Sequence, residues 1–227
     1  MPVAEMHKGR HTSRHANKGR TMLVVFDLDG TLVDSTQVLL ESHDAAWATV
    51  GKERPSDKAI LDLIGLPLVH IMRVLGPEHD PEALAEAYSR AYVDIAPRCE
   101  RLFEGMRELL ERPFRAAVAT GKSQRGADRV VNHFGLKDRF EMVLGGNSVP
   151  RPKPYPDMLH AIMNATGTKD LVMIGDTTFD LEMAHSAGVR AIGVSWGHHA
   201  VERLSPWAPV VHTVQELGDH LDTLLNE

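Results

Sequence analysis

The 227 residues carry 25 Lys and Arg against 31 Asp and Glu, a formal charge of −6 at neutral pH. An acidic body repels polyanions, which argues against nucleic acid as the main partner. One cysteine, Cys99, excludes an internal disulfide framework and points to a reducing, cytoplasmic compartment; no apolar run approaches the roughly 18 residues of a membrane span, so no membrane partner is expected.

Residues 1–21 stand apart. Lys8, Arg10, Arg14, Lys18 and Arg20 face a single acid, Glu5, with His7, His11 and His15 among them. Without an apolar segment this is not a secretory signal. The expectation is a disordered extension, an upstream start or a remnant of cloning, with Met22 a natural beginning.

Met22–Phe26 is the first of six short apolar runs. Ala116–Ala119, Met142–Leu144, Leu171–Ile174, Ala191–Val194 and Val210–Val211 follow. Most are continuous rather than alternating, as strands covered on both faces should be. Helical stripes lie between them: Ala127, Val130, Val131 and Phe134; then Leu159, Ile162 and Met163; then Leu217, Leu221, Leu224 and Leu225. Ser123 stands where a helix would be capped, and Gly135 and Gly188 where helices would stop. This alternation predicts right-handed crossovers and an α/β, doubly wound parallel sheet.

One interval breaks the rhythm. From Ser35 to Arg98 there is no strand signal. Leu39, Leu40, Trp47 and Val50 suggest one helix, and Ile60–Ile64, Val69–Val74 and Ala83–Val93 suggest three more, punctuated by Pro55, Pro67, Pro77 and Pro81. The expected organisation is a core of residues 22–34 and 99–227 with a small all-helical cap, 35–98, inserted after the first strand.

Four strand ends carry chemistry. Val25-Phe26 runs into Asp27-Leu28-Asp29-Gly30-Thr31, two carboxylates at i, i+2 followed by a glycine. Ligands bind beyond the carboxyl ends of strands in such sheets, which puts Asp27 at the site. An acidic turn is the plainer alternative; a calcium loop lacks its ligand positions, because Leu32 and Val33 fall among them. The second core strand ends in Thr120-Gly121-Lys122-Ser123, a hydroxyl and a helix N-terminus suited to phosphate, or a plain cap. Lys153 is held between Pro152 and Pro154. Gly175-Asp176-Thr177-Thr178-Phe179-Asp180 places two acids at i, i+4, able to hold a hard cation or merely to favour a helix start.

Taken together, these segments resemble the four motifs of the haloacid dehalogenase-like superfamily: Asp27-x-Asp29-Gly30-Thr31, then Thr120, then Lys153, then Gly175-Asp176-x-x-x-Asp180. The likeness covers roughly residues 22–215. Ile64-Gly65-Leu66-Pro67-Leu68 in the cap resembles the phosphoglycolate phosphatase-like branch. The resemblance implies a Mg²⁺-dependent phosphatase acting on a small phosphate ester, phosphoglycolate-like by preference, as a monomer or homodimer. It implies Asp27 as nucleophile and Asp29 as acid and base. Asp27, Asp29 (through its carbonyl), Asp176 and Asp180 would form the metal site, and Thr31, Thr120, Gly121, Lys122 and Lys153 would contact the phosphate. The second Asp favours phosphate over carbon–halogen substrates.

Four alternatives remain at this point. A sugar-phosphate mutase resembling β-phosphoglucomutase, or a pyrophosphatase, would keep every motif; a non-catalytic binding module would keep the fold. A P-loop is disfavoured, since Ala116 stands where its first glycine belongs. The pair His198-His199 suggests a loop or cap-facing role before a zinc site. Cys99 has no nearby base to activate it.

Overall fold

In the computed structural model the structure describes residues 22–226, so the basic stretch 1–21 lies outside the described residues. Six strands form one parallel sheet in the order β5-β4-β1-β6-β7-β8: β1 (Leu23–Phe26), β4 (Arg115–Thr120), β5 (Met142–Gly145), β6 (Leu171–Gly175), β7 (Arg190–Val194) and β8 (Val210–Val211). They coincide with the six apolar runs. Every residue of β1 and β6 is buried, because helices cover both faces. One layer packs Phe26, Val118 and Ile174 against Val130, Val131 and Leu217; the opposite layer packs Val25, Ala119 and Met173 against Leu159, Ile162 and Met183.

The first strand lies in the middle. It pairs with β4 on one side, Phe26 opposite Val118, and with β6 on the other, Phe26 opposite Ile174. Chain order reverses there, so β1 opens onto the switch-point crevice where such sheets bind ligands.

The insert is helical. It comprises α1 (Thr36–Ala48), α2 (Asp57–Leu61), α3 (Leu68–Leu75) and α4 (Pro81–Cys99), and α4 runs one residue past the expected end of the cap at Arg98. Asp80 caps α4, accepting from the N–H groups of Glu82 and Ala83, and Pro81 occupies its first turn. Val38, Leu39, Trp47, Ile71, Met72 and Leu84 form a core of the cap's own. An unforeseen two-residue antiparallel ladder, β2 (Val33–Asp34) with β3 (Arg101–Leu102), joins the two chain crossings at its base.

The rest of the core follows the capping signals. The helices are α5 (Met106–Leu110), α6 (Gln124–His133), α7 (Asp157–Thr166), α8 (Thr178–Ala187), α9 (Val201–Leu204) and α10 (Val214–Asn226). The Ser123 hydroxyl accepts from the Gly126 N–H to start α6. Gly188, at φ 69°, ends α8 in the left-handed region. No helix of the described residues is long and apolar enough to cross a membrane.

Candidate active site

Asp27 follows β1 directly, and its N–H donates to Ile174 O at 3.0 Å, extending the ladder one residue beyond the strand. The chain then turns. The N–H groups of Thr31, Leu32 and Val33 all reach back to Leu28 O. Gly30 sits at φ 75°, and a Cβ there would stand 2.2 Å from Asp176 Oδ2. Glycine therefore lets the turn pass against Asp176, and Asp29 leaves strand geometry to face the cap side.

Three acids meet at this point. Oxygens of Asp27, Asp176 and Asp180 lie within 4.8 Å of one another, all buried. Lys153, with a fully buried side chain, puts Nζ 2.9 Å from Asp27 Oδ1 and 2.5 Å from Asp180 Oδ1. Asp180 Oδ2 accepts from the Thr177 N–H and hydroxyl at the start of α8. Asp176 is held firmly: Oδ1 accepts from the Thr31 hydroxyl at 2.8 Å, and Oδ2 from the His198 N–H at 2.8 Å. Thr31 thus serves Asp176 and does not line the crevice.

The charges shift accordingly. Burial pushes the Asp27 carboxyl up to about 8, against the pull of Lys153 and with the help of Asp180, Asp176 and Asp29. Burial alone would lower Lys153, but Asp180 and Asp27 hold it above its ordinary value, so it stays charged. Burial raises Asp176, yet the hydrogen bonds from His198 bring it below the usual range.

Does a hard cation fit here? Neither oxygen of Asp27 nor Oδ1 of Asp180 has a hydrogen-bond partner of good geometry, although all are buried. Asp27 and Asp180 share one lysine, and Asp176 stands beside them, so carboxyl groups outnumber the cations of a dry site. Oxygen donors of this kind suit a small divalent cation, so the residues fit.

On the cap side, Asp29 Oδ1 accepts from the Ser35 hydroxyl at 2.6 Å, and Oδ2 lies 3.0 Å from Lys122 Nζ. Lys122 also donates to the Tyr92 hydroxyl at 2.9 Å and lies over its ring, and Tyr92 in turn donates to Glu100. A chain of contacts thus links Asp29 to α4 of the cap. Thr120 is buried at the end of β4, and its hydroxyl accepts from the Lys122 N–H.

The cap is seated on the core through backbone. A Cβ at Gly121 would stand 2.2 Å from Gly65 O in the cap loop. Gly121→Ala is therefore expected to prop the cap off the core, raising KM about tenfold and lowering Tm by a few degrees, since overpacking costs roughly 1–3 kcal/mol. Steady-state kinetics beside a thermal melt checks this. His199 accepts from the Thr178 N–H through Nδ1 at 3.0 Å and faces Asp62 O of the cap through Nε2 at 3.2 Å, while Arg203 pairs with Asp62 at 2.8 Å. The two histidines diverge: His198 Nδ1 lies 2.9 Å from Asp176 Oδ2, and His199 tethers the cap.

Two groups escaped the sequence reading. The sequence suggests a loop or cap-facing role for His198, and the fold makes it the anchor of Asp176. His43 on α1 was not singled out, although it falls on the apolar stripe four residues from both Leu39 and Trp47. A histidine at a stripe position was the available signal.

Residues 24–194 match the family model of haloacid dehalogenase-like hydrolases. The chain belongs to that family. It is 34% identical over 217 residues to the probable phosphatase IndB of Dickeya dadantii, covering 89% of this chain and 94% of the relative. It is 28% identical over 204 residues to the pyrophosphatase PpaX of Halalkalibacterium halodurans, covering 88% of this chain and 94% of that one. A solved structure of a predicted phosphoglycolate phosphatase from Haemophilus somnus shares the fold, with a TM-score of 0.78 at 24% identity over 92% of this chain and 99% of that one.

Proposed function

We propose that the chain is a Mg²⁺-dependent phosphatase that hydrolyses a phosphomonoester through an aspartyl-phosphate on Asp27. The observation that carries this reading is Asp27 itself. It is buried at the switch point, lacks any hydrogen-bond partner of good geometry, and has a charged lysine 2.9 Å away. A structural aspartate would be satisfied by donors; here Oδ1 faces only Lys153 and Oδ2 is left for a ligand.

Phosphoryl transfer is mostly positioning and charge neutralisation. Asp27 attacks phosphorus, forming the acyl-phosphate as the ester P–O bond breaks. Asp29 gives its proton to the departing alkoxide, then takes one from the water that cleaves the acyl-phosphate. Lys153 neutralises Asp27 and the phosphoryl oxygens. Thr120, whose hydroxyl is oriented by the Lys122 N–H, and the N–H of Gly121 hydrogen-bond those oxygens. Thr31 and His198 position Asp176. Asp27, Asp176 and the Asp29 carbonyl would hold Mg²⁺, with Asp180 orienting the group. When bound, the cation offsets the repulsion between carboxylate and phosphate dianion.

The relatives carry phosphatase, pyrophosphatase and tyrosine-protein kinase names, so they select no single substrate; phosphoglycolate is the first ester to assay on the resemblance alone. A panel of phosphomonoesters and pyrophosphate with Mg²⁺ tests the reading, and it fails if phosphate is released from none.

Two expected outcomes follow from the assigned roles. Asp29→Asn loses roughly 10²–10⁴-fold on alkyl phosphates, the usual range for general acid catalysis, and much less on an activated aryl phosphate. Equal losses on both esters remove Asp29 as the acid. The second concerns the cation. A ligand carboxylate must lose its proton to bind metal, and Asp27 is shifted up to about 8. Mg²⁺ therefore raises Tm more at pH 8 than at pH 6, and chelation reverses the gain. An equal gain at both values contradicts this.

A further inference from the structure

A cavity of about 1050 Å³ opens from the site into the cap. Asp27, Asp29 and Thr120 line its floor. Its cap walls are apolar and aromatic, with Leu39, Leu68, Ile71 and Tyr88 among them. That volume is at the upper end of pockets for drug-sized ligands, roughly 300–1,000 Å³. A two-carbon leaving group would leave most of the chamber as water against apolar side chains, which is unfavourable.

His43 lines the same cavity from α1. It is fully buried, its ring stands edge-on to Tyr88 with centroids 5.0 Å apart, and neither ring nitrogen has a partner. A buried imidazole with two unused nitrogens costs free energy unless something supplies the bond. Burial, aided by Arg54, holds its pKa down to about 4, so at neutral pH the ring offers one donor and one acceptor. No residue given a catalytic role above touches it.

We propose that this chamber takes the alcohol portion of the phosphomonoester, that this portion is a bulky ring-bearing group, and that His43 hydrogen-bonds a polar atom on it. The proposal rests on the phosphatase reading and replaces phosphoglycolate with a larger ester. The Tyr88 ring in the cavity wall provides aromatic surface for such a ring, whereas the Tyr92 ring is taken up by Lys122 and Arg129. Arg125 and Arg129 line the side formed by α6, where further polar substituents of the substrate would sit.

The test compares kcat/KM for phosphoglycolate, pyrophosphate, naphthylmethyl phosphate and quinolinylmethyl phosphate. The three monoesters release primary alcohols, so pocket fit rather than leaving-group activation separates them. The ring esters are expected to exceed phosphoglycolate and pyrophosphate at least tenfold, with the quinoline preferred over the naphthalene about fivefold. His43→Phe brings that last ratio close to one, and His43→Gln retains part of it; a melt of each variant reports folding. If phosphoglycolate or pyrophosphate leads the panel, the chamber proposal is overturned while the phosphatase reading stands. An unchanged quinoline-to-naphthalene ratio in both variants removes the role of His43. If no ester turns over, the phosphatase reading fails, and calorimetry of the wild-type chain still decides the chamber: naphthylmethylphosphonate binding at least tenfold tighter than methylphosphonate supports it, and equal affinity overturns it.

Discussion

Asp27→Asn is expected to lower phosphate release from the best ester by about 10⁴-fold or more, the scale on which removal of a nucleophile acts. An amide has the size of the carboxylate but does not attack phosphorus. The fold should survive. The substitution removes one of three buried carboxyl groups, and Lys153 keeps Asp180 as a partner at 2.5 Å. The pH dependence gives a second readout. Asp27 rises from its ordinary value of 3.8 to about 8 in the fold, so its contribution to stability is present at low pH and lost as pH rises through that window. The Asn variant has no such loss, so without metal its Tm at pH 8 should match or exceed that of the wild type. Near wild-type turnover by this variant refutes Asp27 as nucleophile.

Lys153→Met should be the most destabilising of these substitutions. Its ammonium is fully buried between Asp27 and Asp180. Removing one partner of a buried ion pair leaves charge uncompensated and costs roughly 3–5 kcal/mol. For a chain of this size that corresponds to a fall in Tm of about 10 °C. The sign with pH follows from the acids left behind. They take up protons as pH falls, so the deficit should be larger at pH 8 than at pH 5. Melts of both proteins at the two values check this, and a deficit independent of pH contradicts it. Turnover should be lost as well, because Asp27 and the phosphoryl oxygens would have lost their nearest cation.

The sheet was legible because each strand is a run buried on both faces. Val24, Val118, Ile174 and Val194 needed no tertiary information to be read as core. The site was legible because its side chains come directly after those runs: Asp27 after β1, Thr120 at the end of β4, Asp176 after β6. What escaped was set by packing between distant segments. The β2 and β3 strands are two residues each, too short for any periodicity, and exist because the cap's two crossings meet. Helix α5, five residues long, carries no full stripe. Lys122 stood in a phosphate-binding loop by sequence; its links to Asp29 and Tyr92 appear only once α4 folds over the core. His43 and His198 take their surroundings from elements 22 to 45 residues away: Tyr88 for the first, Asp176 for the second.

The covalent step is the centre of the account, and one measurement addresses it directly. The protein is mixed with its best ester and Mg²⁺, quenched within a turnover, reduced with borohydride and mapped by peptide mass spectrometry. Borohydride converts an aspartyl-phosphate to homoserine. The account predicts homoserine at position 27 in the wild type and none in Asp27→Asn. Phosphate release with no modification at Asp27, or with the label on another side chain, would contradict it.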